Sequence, residues 1–174
     1  ESENSVKRRK VKPLCILSSC ANRCDAFHQT ASSPDGEGAF LAMNDALKEA
    51  GLKSGDIDYV NAHGTGTQGN DMSEGKALMR VFGDKMPPVA SIKSFIGHTT
   101  SAAGGVESVI SVLSLLENYM PINLNFSNKI EDHSFEPLHQ DTIPQRLEHI
   151  MSNSFGFGGN DTVCIFSKIK EDII

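Results

Sequence analysis

Short apolar runs alternate along this chain with longer segments of helical period, and that alternation restricts the fold more than any other feature. Residues 12 to 20, "KPLCILSSC", read as a strand. Between residues 36 and 50, Ala39, Phe40, Met43 and Leu47 recur at three and four, the helix period, and Gly51 follows as a C-cap. "IDYVNA", 57 to 62, is a second strand. Asp71 to Phe82 is a second helix, in which Asp71 and Glu74 have capping-box spacing. "PPVASIK", 87 to 93, is a third strand. Ser101 to Asn118 is a third helix, apolar almost all round and therefore expected to be buried. The stretch "EHIMSNSFGFGGNDTVCIFSKI" reads as two strands joined by a Gly-rich turn. The order β-α-β-α-β-α-β-β predicts a layered α/β domain with a mixed, largely parallel five-stranded sheet. Residues 29 to 37 and 127 to 146 look irregular. Residues 1 to 11 form a polar N-terminal segment without a fold signal, which leaves 12 to 174 as one domain.

In such sheets ligands sit beyond the carboxyl ends of strands. His63 and Lys93 fall at two of those ends, and the "SFGFGG" turn can reach the same edge. Composition narrows the ligand. Net charge is −6 with a pI near 5.5, against nucleic acid as the main partner. The basic run Lys7 to Lys10 reads as a solvated segment. No stretch of about 18 apolar residues exists, so no membrane span is expected. No signal peptide precedes the four cysteines, and their spacing is not that of a zinc site. Reduced thiols in the cytoplasm are the default expectation.

His63 in "NAHGTG" and His98 in "FIGHTT" both follow a strand and both touch glycine. Neutral imidazole offers one N–H, so a matched pair could stabilise a developing oxyanion. Flanking glycine lets a substrate approach the backbone. Thr65 and Thr67 could bond an amide-bearing ligand. Glu107 is the only charge in the apolar run from Ala102 to Leu116. A buried carboxylate must be paired, and Lys93 is the candidate partner. Nothing has the H-x-x-x-H or H-x-H spacing that would fix a metal, so none is expected. The Gly-rich turn leads into a strand and not a helix, so it does not read as a phosphate loop. It reads as a hairpin presenting Phe155 and Phe157. A nucleophile is missing from this constellation. Cys15 and Cys164 lie inside predicted strands, and Cys20 and Cys24 lead into polar loop, so none has a strand-to-helix turn.

As a set these motifs resemble the β-ketoacyl-acyl carrier protein synthases of the thiolase superfamily, in particular the type II elongating enzymes. "NAHGTGT" resembles that family's first histidine motif. "SIKSFIGHTTSAAGGVES" resembles its lysine and second histidine motif, and "SNSFGFGGND" its Gly-rich loop. "CDAFHQTASSPDGEGA" is similar to the segment lining its pantetheine tunnel. The match runs from about residue 5 to residue 168 and covers only the carboxyl-terminal half of the family. The resemblance implies a thiolase-like half and an acyltransferase of fatty acid or polyketide biosynthesis. His63 and His98 would hold the thioester carbonyl of malonyl-acyl carrier protein and stabilise the enolate formed on decarboxylation. Lys93 would orient the site, with Glu107 as structural support. Thr65 and Thr67 would bond the phosphopantetheine arm, the substrate carrier, with no bound cofactor. Phe157 would act as a gate with Phe155 beside it, and Gly158 belongs to the same substrate-facing loop. The acyl-accepting cysteine belongs to the family's other half, so the chain would be inactive alone. Acyl carrier protein, the amino-terminal half and a second copy of this chain are the expected partners. The alternative is a non-catalytic subunit like the chain-length factors. "HGTGTQGND" and "GGND" depart from the elongating pattern, the latter by replacing Gly-Gly-Thr-Asn, and they bear on the substrate.

Overall fold

The computed structural model describes residues 1–140 and 146–169. Five strands, β1 (Ile16–Cys24), β2 (Tyr59–Asn61), β3 (Val89–Ala90), β4 (His149–Gly156) and β5 (Asn160–Ser167), form one sheet in the order β1-β5-β4-β2-β3. The helices are α1 (Glu3–Arg9), α2 (Glu37–Ala50), α3 (Gln68–Phe82), α4 (Lys93–Ile96) and α5 (Ala103–Glu117). β2 pairs parallel with both β3 and β4, while β5 pairs antiparallel with both β4 and β1. β5 alone therefore runs against the other four, and the sheet is mixed and largely parallel, as the element order predicts.

Strand alternation sends side chains to two separate cores. Val60, Met151, Val163 and Ile165 face one side, where Ala42, Met43, Ala46 and Leu47 of α2 and Ala77, Leu78 and Phe82 of α3 cover them. Tyr59, Ile150 and Phe166 face the other side, with Leu115 of α5, Met120 and Leu147. Burying each large apolar side chain contributes about 1.5–3 kcal/mol. Helices thus sandwich the sheet, and the carboxyl ends of β2, β3 and β4 open on a common edge.

Several boundaries differ from the sequence reading, each for a stated reason. β1 begins at Ile16 and carries Cys20 and Cys24 inside it, while Cys15 lies before it. Its register is set by β5 and it lies at the sheet edge, so few of its side chains are buried and its pattern is weakly apolar. Residues 1 to 11 do carry a structure: α1 is capped by the Ser2 side chain, with no buried residue to announce it. α3 starts at Gln68, with Thr67 and not Asp71 as its N-cap. β3 is only two residues long, so Lys93 opens α4 instead of ending a strand. α5 is not buried all round: Glu107, Ser111 and Leu115 face inward, while Val109, Leu113 and Leu116 are exposed. The irregular stretch 127 to 146 includes residues 141–145, which lie outside the described residues.

Candidate functional site

The chain leaves β2 at Asn61 and turns sharply at Gly64, whose φ is +43°. A Cβ there would stand 2.5 Å from that of Ser91, so glycine is required for both conformation and space. The turn is tied to α3 by one residue. Glu74 accepts the backbone N–H groups of His63 and Gly64, each at 2.9 Å, and the side-chain amides of Asn153 and Asn70 at 3.1 and 3.3 Å. Burial raises the Glu74 carboxyl above the usual carboxylate range, and these hydrogen bonds offset only part of that rise. Sequence reasoning assigned Glu74 to a capping box and missed this role. The available signal was its place beside Ala77 and Leu78 on the inward face of α3.

Lys93 connects the turn to α5. Its ammonium pairs with Glu107 Oε1, donates to the His63 carbonyl oxygen at 2.5 Å, and lies 3.3 Å from His63 Nδ1. Three donors thus meet three acceptors in a buried setting. The other oxygen of Glu107 accepts the hydroxyl of Ser154, on β4, at 3.0 Å. Lys93 and Glu107 therefore form the pair expected from sequence, and Ser154 is a member that sequence gave no reason to single out.

These contacts decide the state of His63. Burial, the Lys93 charge and then His98 hold its pKa down to about 3, so the ring is neutral at physiological pH. Lys93 can only donate, so Nδ1 is the acceptor and the ring hydrogen is carried on Nε2. His98, on the exposed side, lies with its ring at 84° to that of His63 and centroids 5.4 Å apart. Its Nδ1 accepts the Thr100 backbone N–H at 3.1 Å, so a neutral His98 likewise carries its hydrogen on Nε2. Two such donors from rings in contact can serve one oxygen that gains negative charge.

The Gly-rich turn brings Phe155 to the same place. Its buried ring lies 5.6 Å from that of His63. Phe157 stands at the tip of the turn, 80% exposed. Gly158, with φ +81°, donates its N–H to Gln29 at 2.7 Å, which ties the tip to the 25–35 segment. The Thr65 and Thr67 hydroxyls are 2.9 Å apart on the loop that enters α3. A cavity of about 470 Å³ is lined by Thr65, Lys93, His98, Asn123, Phe126 and His133, among others. The His63 ring is packed between Phe155 and His98 at the border of that cavity, beside its lining residues Lys93 and His98. Among the described residues, no cluster of three or more His, Cys, Asp or Glu side chains could hold a metal ion. No described helix is long and apolar enough to cross a membrane.

A profile for the family described as "Beta-ketoacyl synthase, C-terminal domain" matches residues 14–127. The chain belongs to the beta-ketoacyl synthase family. Among curated relatives, the 3-oxoacyl-[acyl-carrier-protein] synthase 2 of Mycobacterium bovis is 37% identical over 168 residues, covering 97% of this chain and 40% of that one. The beta-ketoacyl synthase domain here thus spans about 40% of the length of the curated relatives it matches. Among solved structures, a type II PKS acyl-carrier protein in complex with its ketosynthase bound to a hexaketide superposes with a TM-score of 0.91 at 27% identity. That match covers 98% of this chain and 42% of the other. The ishigamide ketosynthase/chain length factor structure gives a TM-score of 0.91 at 28% identity, over 98% of this chain and 42% of the other. The fold is thus that of the thiolase-like ketosynthases.

Proposed function

We propose that this chain is the carboxyl-terminal part of a β-ketoacyl-acyl carrier protein synthase, in which it supplies the half of the active site that handles the malonyl thioester. The observation that carries this reading is the contact between the two imidazoles, each with its Nδ1 facing a donor, Lys93 Nζ or the Thr100 N–H. His63 and His98 present Nε2–H donors from touching rings. A thioester carbonyl that accepts both becomes a better electron sink when the malonyl carboxylate leaves as carbon dioxide. Lys93 fixes the first ring and Glu107 neutralises Lys93. Thr65 and Thr67 bond the phosphopantetheine arm of the acyl carrier protein, and Phe155, Phe157 and Gly158 close the acyl side. The nucleophilic cysteine comes from the amino-terminal half. All four cysteines of this chain lie in or beside the sheet and away from a helix N-terminus, which supports that division.

The test is a chimera in which this chain replaces the matching carboxyl-terminal 40% of the Mycobacterium bovis relative. The expected result is condensation of acyl and malonyl thioesters, reduced by about 100-fold or more in the His63→Ala and His98→Ala forms. A folded chimera that binds acyl carrier protein without turnover would overturn the catalytic reading in favour of a chain-length-factor-like partner.

A further inference from the structure

Two of the four cysteines lie together, away from the site described above. Cys20 and Cys164 are directly opposite one another on β1 and β5, with their sulfur atoms 3.3 Å apart and both thiols free. The backbone N–H of Cys20 points away from β5 and donates to Glu49 Oε2 at 3.4 Å. Cys20 and Cys164 therefore occupy a position where the ladder makes no hydrogen bonds between the opposed residues. At such positions the Cα atoms approach to about 4.5 Å and the side chains are at their closest. That separation lies within the range a disulfide spans without backbone movement.

We propose that Cys20 and Cys164 are a redox-modifiable dithiol that closes to a cross-strand disulfide and locks the edge strand β1 onto β5. The two sulfurs have different surroundings, which sets the order of events. Cys20 is exposed and meets the oxidant first. Cys164 packs partly into the core beside α5, and its thiol is pushed up to about 12 by burial and then by Cys20. With a hydroperoxide as oxidant, the Cys20 thiolate attacks the peroxide O–O bond, forming a sulfenic acid and releasing the alcohol, or water from hydrogen peroxide. The Cys164 sulfur then attacks the Cys20 sulfur, the S–O bond breaks, and water leaves with the Cys164 proton. Two thiols are oxidised by two electrons and one peroxide is reduced. The other thiols are placed differently. Cys24 lies at the far end of β1, where its S–H is directed to the Gly158 carbonyl at 3.4 Å, and Cys15 lies before the strand. The consequence falls on the turn carrying Phe157, because β1 and β5 both run into it: Asp25 N–H donates to Gly159 and Gly158 N–H to Gln29.

The test is to treat the purified chain with hydrogen peroxide, block remaining thiols, and map peptides without reduction. The expected product is lighter by two hydrogens, holds a Cys20–Cys164 linkage, and reverts with dithiothreitol. The bridge closes a loop of 144 residues, so the thermal midpoint should rise by roughly 5–15 °C on oxidation. Cys20→Ser and Cys164→Ser should each abolish both effects, while Cys24→Ser should preserve them. Overoxidised Cys20 beside a Cys164 that still takes the blocking reagent would overturn the proposal. So would a linkage from Cys20 to any other cysteine.

Discussion

The Lys93 ammonium grips His63 at two points, its carbonyl oxygen at 2.5 Å and its ring nitrogen Nδ1 at 3.3 Å. One side chain thereby sets both the backbone position and the tautomer of the residue thirty positions before it. Lys93 can do so only because Glu107 stands behind it, and the energetics of that pair can be measured. Glu107→Leu leaves a buried ammonium unpaired, and Lys93→Met leaves a buried carboxylate unpaired. Each should cost about 3–5 kcal/mol of unfolding free energy. The double variant restores neutrality and should be more stable than either single one. Urea denaturation of the four proteins gives the coupling energy, and additive losses would refute the account.

His63 makes stability depend on pH. Its pKa falls from 6.5 to about 3 on folding, so between those values the unfolded chain binds a proton that the folded chain refuses. Stability should therefore fall as pH is lowered through that window, by a total on the order of a few kcal/mol. In His63→Gln the slope contributed by this group disappears. Denaturation midpoints of both proteins from pH 7 down to pH 4 test the difference, and parallel curves would contradict it.

Asp161 works in the opposite sense. It is buried near Asp25 and Glu74, and burial followed by those charges raises its pKa from 3.8 to about 7. The folded chain keeps a proton there that the unfolded chain has lost, so stability falls as pH rises from about 4 to about 7. Asp161→Asn keeps the shape without the charge. It should stabilise the protein at pH 8 by on the order of 2 kcal/mol, with the gain vanishing near pH 4. A gain independent of pH would point to packing instead.

The outer face of α5 predicts self-association. Val109, Leu113 and Leu116 are 59%, 47% and 41% exposed, and neighbouring Tyr119 is 50% exposed, too much apolar surface in one stripe for a comfortable monomer. Val106 and Ile110 flank the stripe and are half-buried. A second copy of this chain should pair across this face by two-fold symmetry. Sedimentation at micromolar concentration should give a dimer that Leu113→Glu dissociates, and a wild-type monomer would refute the prediction.

Assayed by itself with acyl- and malonyl-acyl carrier protein, the chain should form no condensation product. Product above background that is lost on replacing any one of the four cysteines would place the nucleophile here and overturn the division of labour.

How much of this was legible beforehand depended on what the signal rests on. α2 was, because Ala39, Met43 and Leu47 are buried at helical spacing and Gly51 ends the helix in a left-handed conformation. The β4–β5 hairpin was, because its apolar residues flank a turn that needs glycine at two positive-φ sites, Gly158 and Gly159. β1 was displaced, because an edge strand buries too little to leave a clear alternation. The start of α3 was misplaced, because Asp71 and Glu74 have capping-box spacing yet Thr67 caps the helix and Glu74 turns inward. That inward turn depends on backbone N–H groups ten and eleven residues away, which no local pattern encodes. The Lys93–Glu107 pair was legible, since one charge in an apolar helix needs a partner, whereas Ser154 reaches Glu107 only through sheet-to-helix packing.

Helix α5 presents Glu107 on its inner side and Val109 on its outer side, two residues apart on one rigid rod. The carboxylate that steadies Lys93 and the surface open to a neighbour are thus two faces of one helix. A neighbour settling on Val109 and Leu113 would rest on the same element whose inner side seats the lysine that holds His63.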